Sequence, residues 1–207
     1  MVIRMQRKFA HWTPGYLRNR LLVIYDERKH PGNPWLTRDG VRFLDQVLKP
    51  TDVGLEFGSG RSSIWFARRM TRLISIEDNR PWYVKVSRLI AEQNLADKID
   101  YRFREAKDEY VAEASRIADE SVDFCLVDGS HRDECAIRVI AKVKRGGLLV
   151  VDNINWYLPG DTIAPTSRRP SDGCASAAWS DFAAAVRDWR RYWTSNGVTD
   201  TCIWFKP

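Results

Sequence analysis

Five times between residues 53 and 153 a short apolar run stops at a polar cluster. Leu55-Glu56-Phe57 runs into Gly58-Ser59-Gly60, and Leu73-Ile74-Ser75-Ile76 runs into Glu77-Asp78. Ile99 to Phe103 leads to Glu105-Ala106, Val122 to Val127 to Asp128-Gly129-Ser130-His131, and Leu148 to Val151 to Asp152-Asn153. Helix-length segments separate them, so strands and helices alternate. Alternation at this spacing implies right-handed crossovers and a parallel sheet covered on both faces. Ligands of such sheets bind at the carboxyl ends of the strands, near the switch point beside the first strand. Every polar cluster falls on that edge.

The helices between the runs have their own signals. Ser62-Ser63 can open the first, and Pro81 suits the first turn of the next, Pro81 to Asn94. Lys107 to Ala118 reads as helical. So does Asp133 to Lys144, with Arg145-Gly146-Gly147 as its stop. Val122 to Val127 is apolar except for Asp123, the pattern of a strand buried on both faces.

Residues 1–50 read as a helical preface to a domain spanning 51–207. Gly15 to Lys29 carries Leu17, Leu21, Leu22, Ile24 and Tyr25 among charges, and His30-Pro31-Gly32-Asn33-Pro34 breaks it. Thr37 can cap a second helix with Val41, Leu44, Val47 and Leu48 on one face. Both helices are expected to pack on the sheet edge or over the ligand mouth, with Trp35 and Tyr16 near it. After the fifth run the rhythm fails. Residues 155–180 are rich in Pro, Gly, Ser and Asp, too long for an ordinary connection, and are expected to form a lid. Trp179 to Trp189 reads as a helix, with Phe182, Val186 and Trp189 on one face. Arg191–Thr194 and Thr201–Phe205 then form an antiparallel pair around Ser195-Asn196-Gly197.

The totals exclude several classes. The chain has 207 residues, enough for one domain with a real core, and its 44% hydrophobic content rules against disorder. No run is long and apolar enough to span a bilayer. The basic N-terminus MVIRMQRKFAHW lacks the apolar core of a secretory signal. The four cysteines, Cys125, Cys135, Cys174 and Cys202, form no C-x-x-C pair, which suggests reduced thiols and a cytoplasmic setting. The net charge of +6 is scattered, as on a solvated basic surface.

The first cluster carries the most chemistry. Gly58 and Gly60 let the backbone turn sharply and approach a ligand closely. The third glycine of a dinucleotide fingerprint is absent, because Ser63 stands in its place. Glu56 precedes the loop instead; a carboxylate there repels a pyrophosphate and suits a cationic amino-acid ligand. This E-x-G-x-G arrangement resembles the first motif of class I S-adenosylmethionine (SAM) methyltransferases, and the resemblance extends over about residues 50–153. It implies a Rossmann-like three-layer α/β/α sandwich. Its seven-stranded sheet is mostly parallel, with an antiparallel last strand and order 3-2-1-4-5-7-6.

What else the resemblance implies is specific. Gly58, Ser59 and Gly60 would pass beneath the methionine part of SAM, with Phe57 and Ser62 also on the cofactor side and Glu56 favouring its ammonium. Glu77 would accept from both ribose hydroxyls, and Asp78, Glu105 and Ala106 would flank the adenine. Asp128 and Gly129 would complete the cofactor side. Asp128, Asp152 and Asn153 are similar to the oxygen ligands of cation-dependent O-methyltransferases, a hard set suited to Mg²⁺ or Ca²⁺. The D-G-x-H strand end is similar to a broader methyltransferase group in which His131 could be the general base. The two roles can coexist, Asp128 and the ion lowering the acceptor's pKa and His131 taking its proton.

The expected reaction is methyl transfer to a hydroxyl of a small molecule held under Trp156, Tyr157 and the 155–180 segment, with Arg168-Arg169 able to clamp an acidic acceptor. Against a nucleic-acid acceptor, the chain has no N/D-P-P-Y motif and no catalytic Pro-Cys. A non-catalytic SAM-binding protein is the alternative from another class, and an NAD-dependent oxidoreductase fits less well. A homodimer is left open.

Overall fold

The computed structural model describes residues 12–207. The stretch read as lacking a secretory signal lies, up to residue 11, outside the described residues. The chain order is α1 (Pro14–Lys29), α2 (Arg38–Val47), β1 (Val53–Phe57), α3 (Arg61–Ala67), β2 (Arg72–Glu77), α4 (Arg80–Glu92) and β3 (Ile99–Phe103). It continues with α5 (Lys107–Ala112), β4 (Val122–Val127), α6 (Arg132–Val139), β5 (Val143–Asp152), α7 (Ala177–Ala185), β6 (Arg190–Ser195) and β7 (Asp200–Phe205).

The seven strands form one sheet in the order β3-β2-β1-β4-β5-β7-β6, as expected. β1 to β5 are mutually parallel, and β7 runs antiparallel to both β5 and β6. β1 and β4 are the central pair, so their apolar side chains are covered twice. Leu55, Phe57, Cys125 and Val127 face one core with Tyr110, Cys135, Trp179 and Phe182 from α5, α6 and α7. Phe124 and Leu126 face the other, with Val41, Leu44, Ile64, Phe66 and Val86 from α2, α3 and α4. Truncating a ring such as Phe66 or Phe124 to alanine should cost roughly 3–5 kcal/mol.

Four local expectations are corrected. The helix expected to reach Lys144 ends at Val139, and Val143 already pairs with Val122 in β5. Gly146-Gly147 is therefore a kink inside a strand, not a helix stop. Gly146 has φ +77°, and a Cβ on Gly147 would lie 2.8 Å from the Asp123 carbonyl oxygen. The helix expected to reach Ala118 gives way at Glu113 to a 3-10 turn, Glu113–Arg116. There Glu113 is buried against Arg102 and Arg104, which stand on and just after β3. α7 begins earlier than expected because Ser176 caps it, and the chain is extended again by Arg190.

The two N-terminal helices part ways. α2 buries Val41 and Leu44 as expected, capped by Thr37. α1 buries none of its residues. Its half-buried side chains include Asn19, Val23, Asp26 and Glu27, while Leu21 and Tyr25 stand 68% and 65% exposed. Of the apolar residues that suggested a buried face, Leu17, Leu21, Leu22 and Tyr25 are exposed and Ile24 is half-buried. No helix among the described residues is long and apolar enough to cross a membrane.

Candidate functional site

The carboxyl ends of β1, β2, β4 and β5 border a cleft of about 540 Å³. Gly58, Ser59, Glu77, Asp78, Asp128, Gly129, Asp152 and Asn153 line it, all expected from the sequence. Trp35, Asn79, Trp82, Ser130 and Arg132 line it as well.

At its base the loops after β1 and β4 touch. Gly58 adopts φ +92°, and a Cβ there would lie 2.8 Å from the Asp128 carbonyl carbon. A Cβ on Gly129 would lie 2.8 Å from the Gly58 nitrogen. Two glycines are needed because the two backbones meet with no space for a side chain between them. The Asp128 amide donates to the Phe57 carbonyl at 2.9 Å, carrying the ladder one step past the strands. The Phe57 side chain itself lies in the core, edge-on to Tyr110.

Glu77 organises the β1–β2 wall. One carboxylate oxygen accepts from the Ser59 amide at 3.0 Å and the Ser59 hydroxyl at 2.6 Å. The other accepts from the amides of Asp78 at 3.1 Å and Asn79 at 2.9 Å. A carboxylate has about four lone-pair sites, and all four are engaged. The expected ribose diol therefore meets an acceptor already filled by the protein. The neighbouring Asp78 is half-buried in the cleft wall, and its carboxylate takes no hydrogen bond from the described residues.

Glu56 is fully buried beneath the glycine loop rather than facing the cleft. Its Oε2 accepts from the Ser63 and Ser75 hydroxyls at 2.5 and 2.7 Å. Ser75 is its register partner on β2. Its Oε1 has no partner among the described residues. Burial raises the carboxyl to about 7, against the pull of Ser62, Ser63 and Ser75. Gly60 has extended backbone and donates to Ser63 Oγ at 3.0 Å. Ser62 is buried beside Glu56. Next to Gly60, the half-buried Arg61 lies over the Trp35 ring at 4.8 Å, and its Nη1 is buried without a hydrogen-bond partner among the described residues. Trp35 is 51% exposed and stacks on Trp82, whose indole N–H donates to the Ser59 carbonyl at 2.7 Å.

The β4–β5 wall holds the largest departure from expectation. Asp128, Asp152 and Asn153 do meet at one edge, but a cation of the protein already stands among them. Arg132 Nε donates to the Gly129 carbonyl at 2.9 Å. Nη1 donates to the Asp152 carbonyl at 2.6 Å and to Asn153 Oδ1 at 2.9 Å. Nη2 donates to the Asp128 carbonyl at 2.7 Å and pairs with Asp128 Oδ1 at 2.8 Å. The Asp152 carboxylate turns instead to Thr201, accepting its hydroxyl at 2.6 Å. A divalent ion about 4 Å from this guanidinium would meet a repulsion of about 8 kcal/mol at an effective dielectric near 20. The expected Mg²⁺ or Ca²⁺ does not fit the residues as arranged. Among the described residues, no three His, Cys, Asp or Glu side chains gather as a metal site. Burial raises the Asp128 and Asp152 carboxyls, and the Asp128 charge raises Asp152 further.

Three further residues fall outside the cleft lining. His131 is exposed, in left-handed backbone with φ 48°, and its ring lies near Tyr110. It does not line the cleft, although its neighbours Ser130 and Arg132 do. Glu105 and Ala106 are exposed in the turn after β3. The 155–180 segment closes largely on itself. Arg168 donates to the carbonyls of Gly173 and Asp172 at 2.7 Å, and Arg169 to that of Thr162 at 3.1 Å. These arginines shape the loop and do not form an open clamp. Tyr157 stacks on Trp179, whereas Trp156 is about half exposed. Arg132 carried one legible signal: it stands four residues after Asp128 at the start of a helix, the spacing that pairs opposite charges.

No protein-family model matches the chain, and no curated protein shows a significant match. Solved structures do share its fold. An O-methyltransferase from Bacillus cereus in complex with SAH superposes with a TM-score of 0.61 at 14% identity, over 94% of this chain and 91% of that one. The O-methyltransferase TomG from Streptomyces achromogenes, in complex with SAM, gives 0.60 at 18% identity, over 99% and 95%. A methyltransferase from Geobacter sulfurreducens gives 0.57 at 15%, over 98% and 95%. The chain thus has the Rossmann-like fold and strand order seen in methyltransferases.

Proposed function

We propose that this chain is a SAM-dependent methyltransferase that methylates a hydroxyl of a small-molecule acceptor. The observation that carries the reading is the cleft over Gly58 and Gly129, where an open carboxylate, Asp78, and a half-exposed indole, Trp35, border the strand ends. Its volume, about 540 Å³, is in the range of small-molecule sites.

The residues present fit SAM with a change of roles. Asp78 offers the free acceptor oxygens for a ribose diol, and Glu77 holds the loop that presents it. Gly58 and Gly129 keep the base of the cleft clear of side chains. Arg61 follows the glycine loop just outside the cleft lining, and with its Nη1 unpartnered among the described residues it is proposed as the cation for the carboxylate of the amino-acid part. When bound, SAM supplies a methyl group already activated on a sulfonium, so positioning does most of the work left to the protein. Asp128, a quarter exposed beside Arg132 in the cleft lining, is proposed as the carboxylate that accepts the acceptor's proton. The aromatic Trp35, and Trp156 after β5, are proposed to border the acceptor. No step is assigned to a divalent ion, because Arg132 occupies its place.

Calorimetry tests the reading directly. SAM or SAH should bind in the micromolar range, about −8 kcal/mol. Asp78→Ala should weaken this by roughly 1.5–3 kcal/mol, as expected for hydrogen bonds to a charged group. Binding of NAD without binding of SAM would overturn the assignment. Formation of SAH with a panel of phenols and hydroxy acids would identify the acceptor.

A further inference from the structure

We infer that Arg132 is a built-in cation that takes the place of a divalent ion at the ends of β4 and β5, making the site independent of metal. A guanidinium has five N–H donors in a fixed planar fork. Here five acceptors surround it: three carbonyl oxygens, of Asp128, Gly129 and Asp152, one amide oxygen, of Asn153, and one carboxylate oxygen, of Asp128. Four of these contacts are hydrogen bonds and the fifth is the Nη2–Oδ1 ion pair at 2.8 Å, and the side chain is only 14% exposed.

Two features of the backbone serve this arrangement. The chain leaves β4 through His131 at φ 48° and leaves β5 at Asn153 with φ 53°, both left-handed and neither a glycine. Such conformations persist where surrounding structure holds them. Asn153 is also held from its other end, its Nδ2 donating to Thr199 Oγ1 at 2.6 Å. The oxygens that converge here are hard donors of the kind a Mg²⁺ ion collects. The chain supplies one monovalent, planar cation to the same oxygens.

Arg132 is a positioning residue, since each of its three nitrogens is already bound to the protein. It fixes the Asp128 carboxylate and ties the β4 loop to the β5 loop, so the acceptor side of the cleft is set before anything binds. This inference rests on the methyltransferase reading for its consequence in turnover but not for the cation itself, and the test separates the two.

Thermal unfolding of the full chain is followed with EDTA, with millimolar magnesium chloride and with neither, all without SAM. The wild-type transition should be the same in all three. Arg132→Ala should unfold roughly 5–10 °C lower, because a set of inward-facing acceptors loses its donors. Guanidinium chloride, far below denaturing concentration, should restore part of that loss where urea does not, and magnesium should raise the variant but not the wild type. Arg132→Lys, with three donors and no fork, should fall between. In turnover, Arg132→Ala should lose on the order of 10²-fold in kcat, with KM for SAM little changed, and recover partly with guanidinium in the presence of EDTA. Should Arg132→Ala fail to fold, the wild-type comparison and Arg132→Lys still decide. A wild-type transition raised by magnesium and lowered by EDTA would overturn the inference, as would an Arg132→Lys protein as stable and active as wild type. Absence of SAM binding would sink the methyl-transfer reading while leaving the unfolding results to judge the cation.

Discussion

The two walls of the cleft are built around opposite charges. On the β1–β2 side an anion, Glu77, gathers four donors from Ser59, Asp78 and Asn79. On the β4–β5 side a cation, Arg132, gathers five acceptors from Asp128, Gly129, Asp152 and Asn153. Both carboxylate oxygens of Glu77 and all three guanidinium nitrogens of Arg132 are already bound to the protein. The groups left open are their neighbours: Asp78 beside Glu77, and the exposed part of Asp128 beside Arg132. The difference in sign follows from the backbone each wall can offer. The β1 and β2 loops present N–H groups, which an anion collects. The β4 and β5 ends present carbonyls, which only a cation can collect.

The comparison can be broken first at the point where the walls meet. Gly129→Ala places a Cβ 2.8 Å from the Gly58 nitrogen and against the Tyr110 hydroxyl, where backbone cannot yield. We expect a loss of roughly 3–5 kcal/mol in urea unfolding, from overpacking with backbone shift. A loss under about 1 kcal/mol would mean the two loops are not in rigid contact.

Next comes the anion-centred wall alone. Glu77→Ala leaves the amides of Ser59, Asp78 and Asn79 without their acceptor and should cost about 2–3 kcal/mol in the same experiment. It should also weaken SAM binding through the loosened loop. Glu77→Gln, which keeps acceptor capacity on one atom only, should fall between.

Glu56, beneath that wall, gives a pH signature. Its carboxyl is raised by burial to about 7 in the folded chain, against an ordinary value near 4.5. The folded state therefore holds a proton that the unfolded state releases. The stability this contributes is fully present below about pH 4.5 and is lost as pH rises through 7. Glu56→Gln cannot ionise, so at pH 8 it should be more stable than wild type by about 3 kcal/mol, with no gain at pH 4. Parallel stability–pH curves for the two proteins would remove Glu56 from the account.

Arg61 carries the smallest expected effect. Arg61→Ala removes a cation whose one contact of note is the Trp35 ring, so stability should change by about 0.5 kcal/mol or less. SAM affinity should fall about tenfold, roughly 1.4 kcal/mol. Unchanged affinity would move the carboxylate of the ligand elsewhere.

Local pattern made the parallel sheet legible. Glu56, Glu77, Asp128 and Asp152 each stand at or beside the carboxyl end of an apolar run, and the covalent order of runs and helices leaves few ways to cover both faces. The glycines of the first cluster were legible for the same reason, although what Gly58 meets is Gly129, in the loop after β4. The errors fall where identity alone is ambiguous. Gly146-Gly147 can stop a helix or kink a strand, and only pairing of Val143 with Val122 decides which. The leucines of α1 suggest burial, but whether a surface exists to receive them depends on where the helix lands.

The sequence by itself determined the alternation of strands and helices and the edge on which polar side chains collect, because period and turn residues are properties of neighbours along the chain; the strand order was expected only from the resemblance to class I SAM methyltransferases. Only the tertiary structure decided what those side chains do to one another. Asp128 stands twenty-odd residues before Asp152-Asn153, and the three read as oxygens in search of an ion. Folding brings the guanidinium of Arg132 among them, and whether a cluster of oxygens binds a metal depends on every charge within a few ångströms, whatever its distance along the chain.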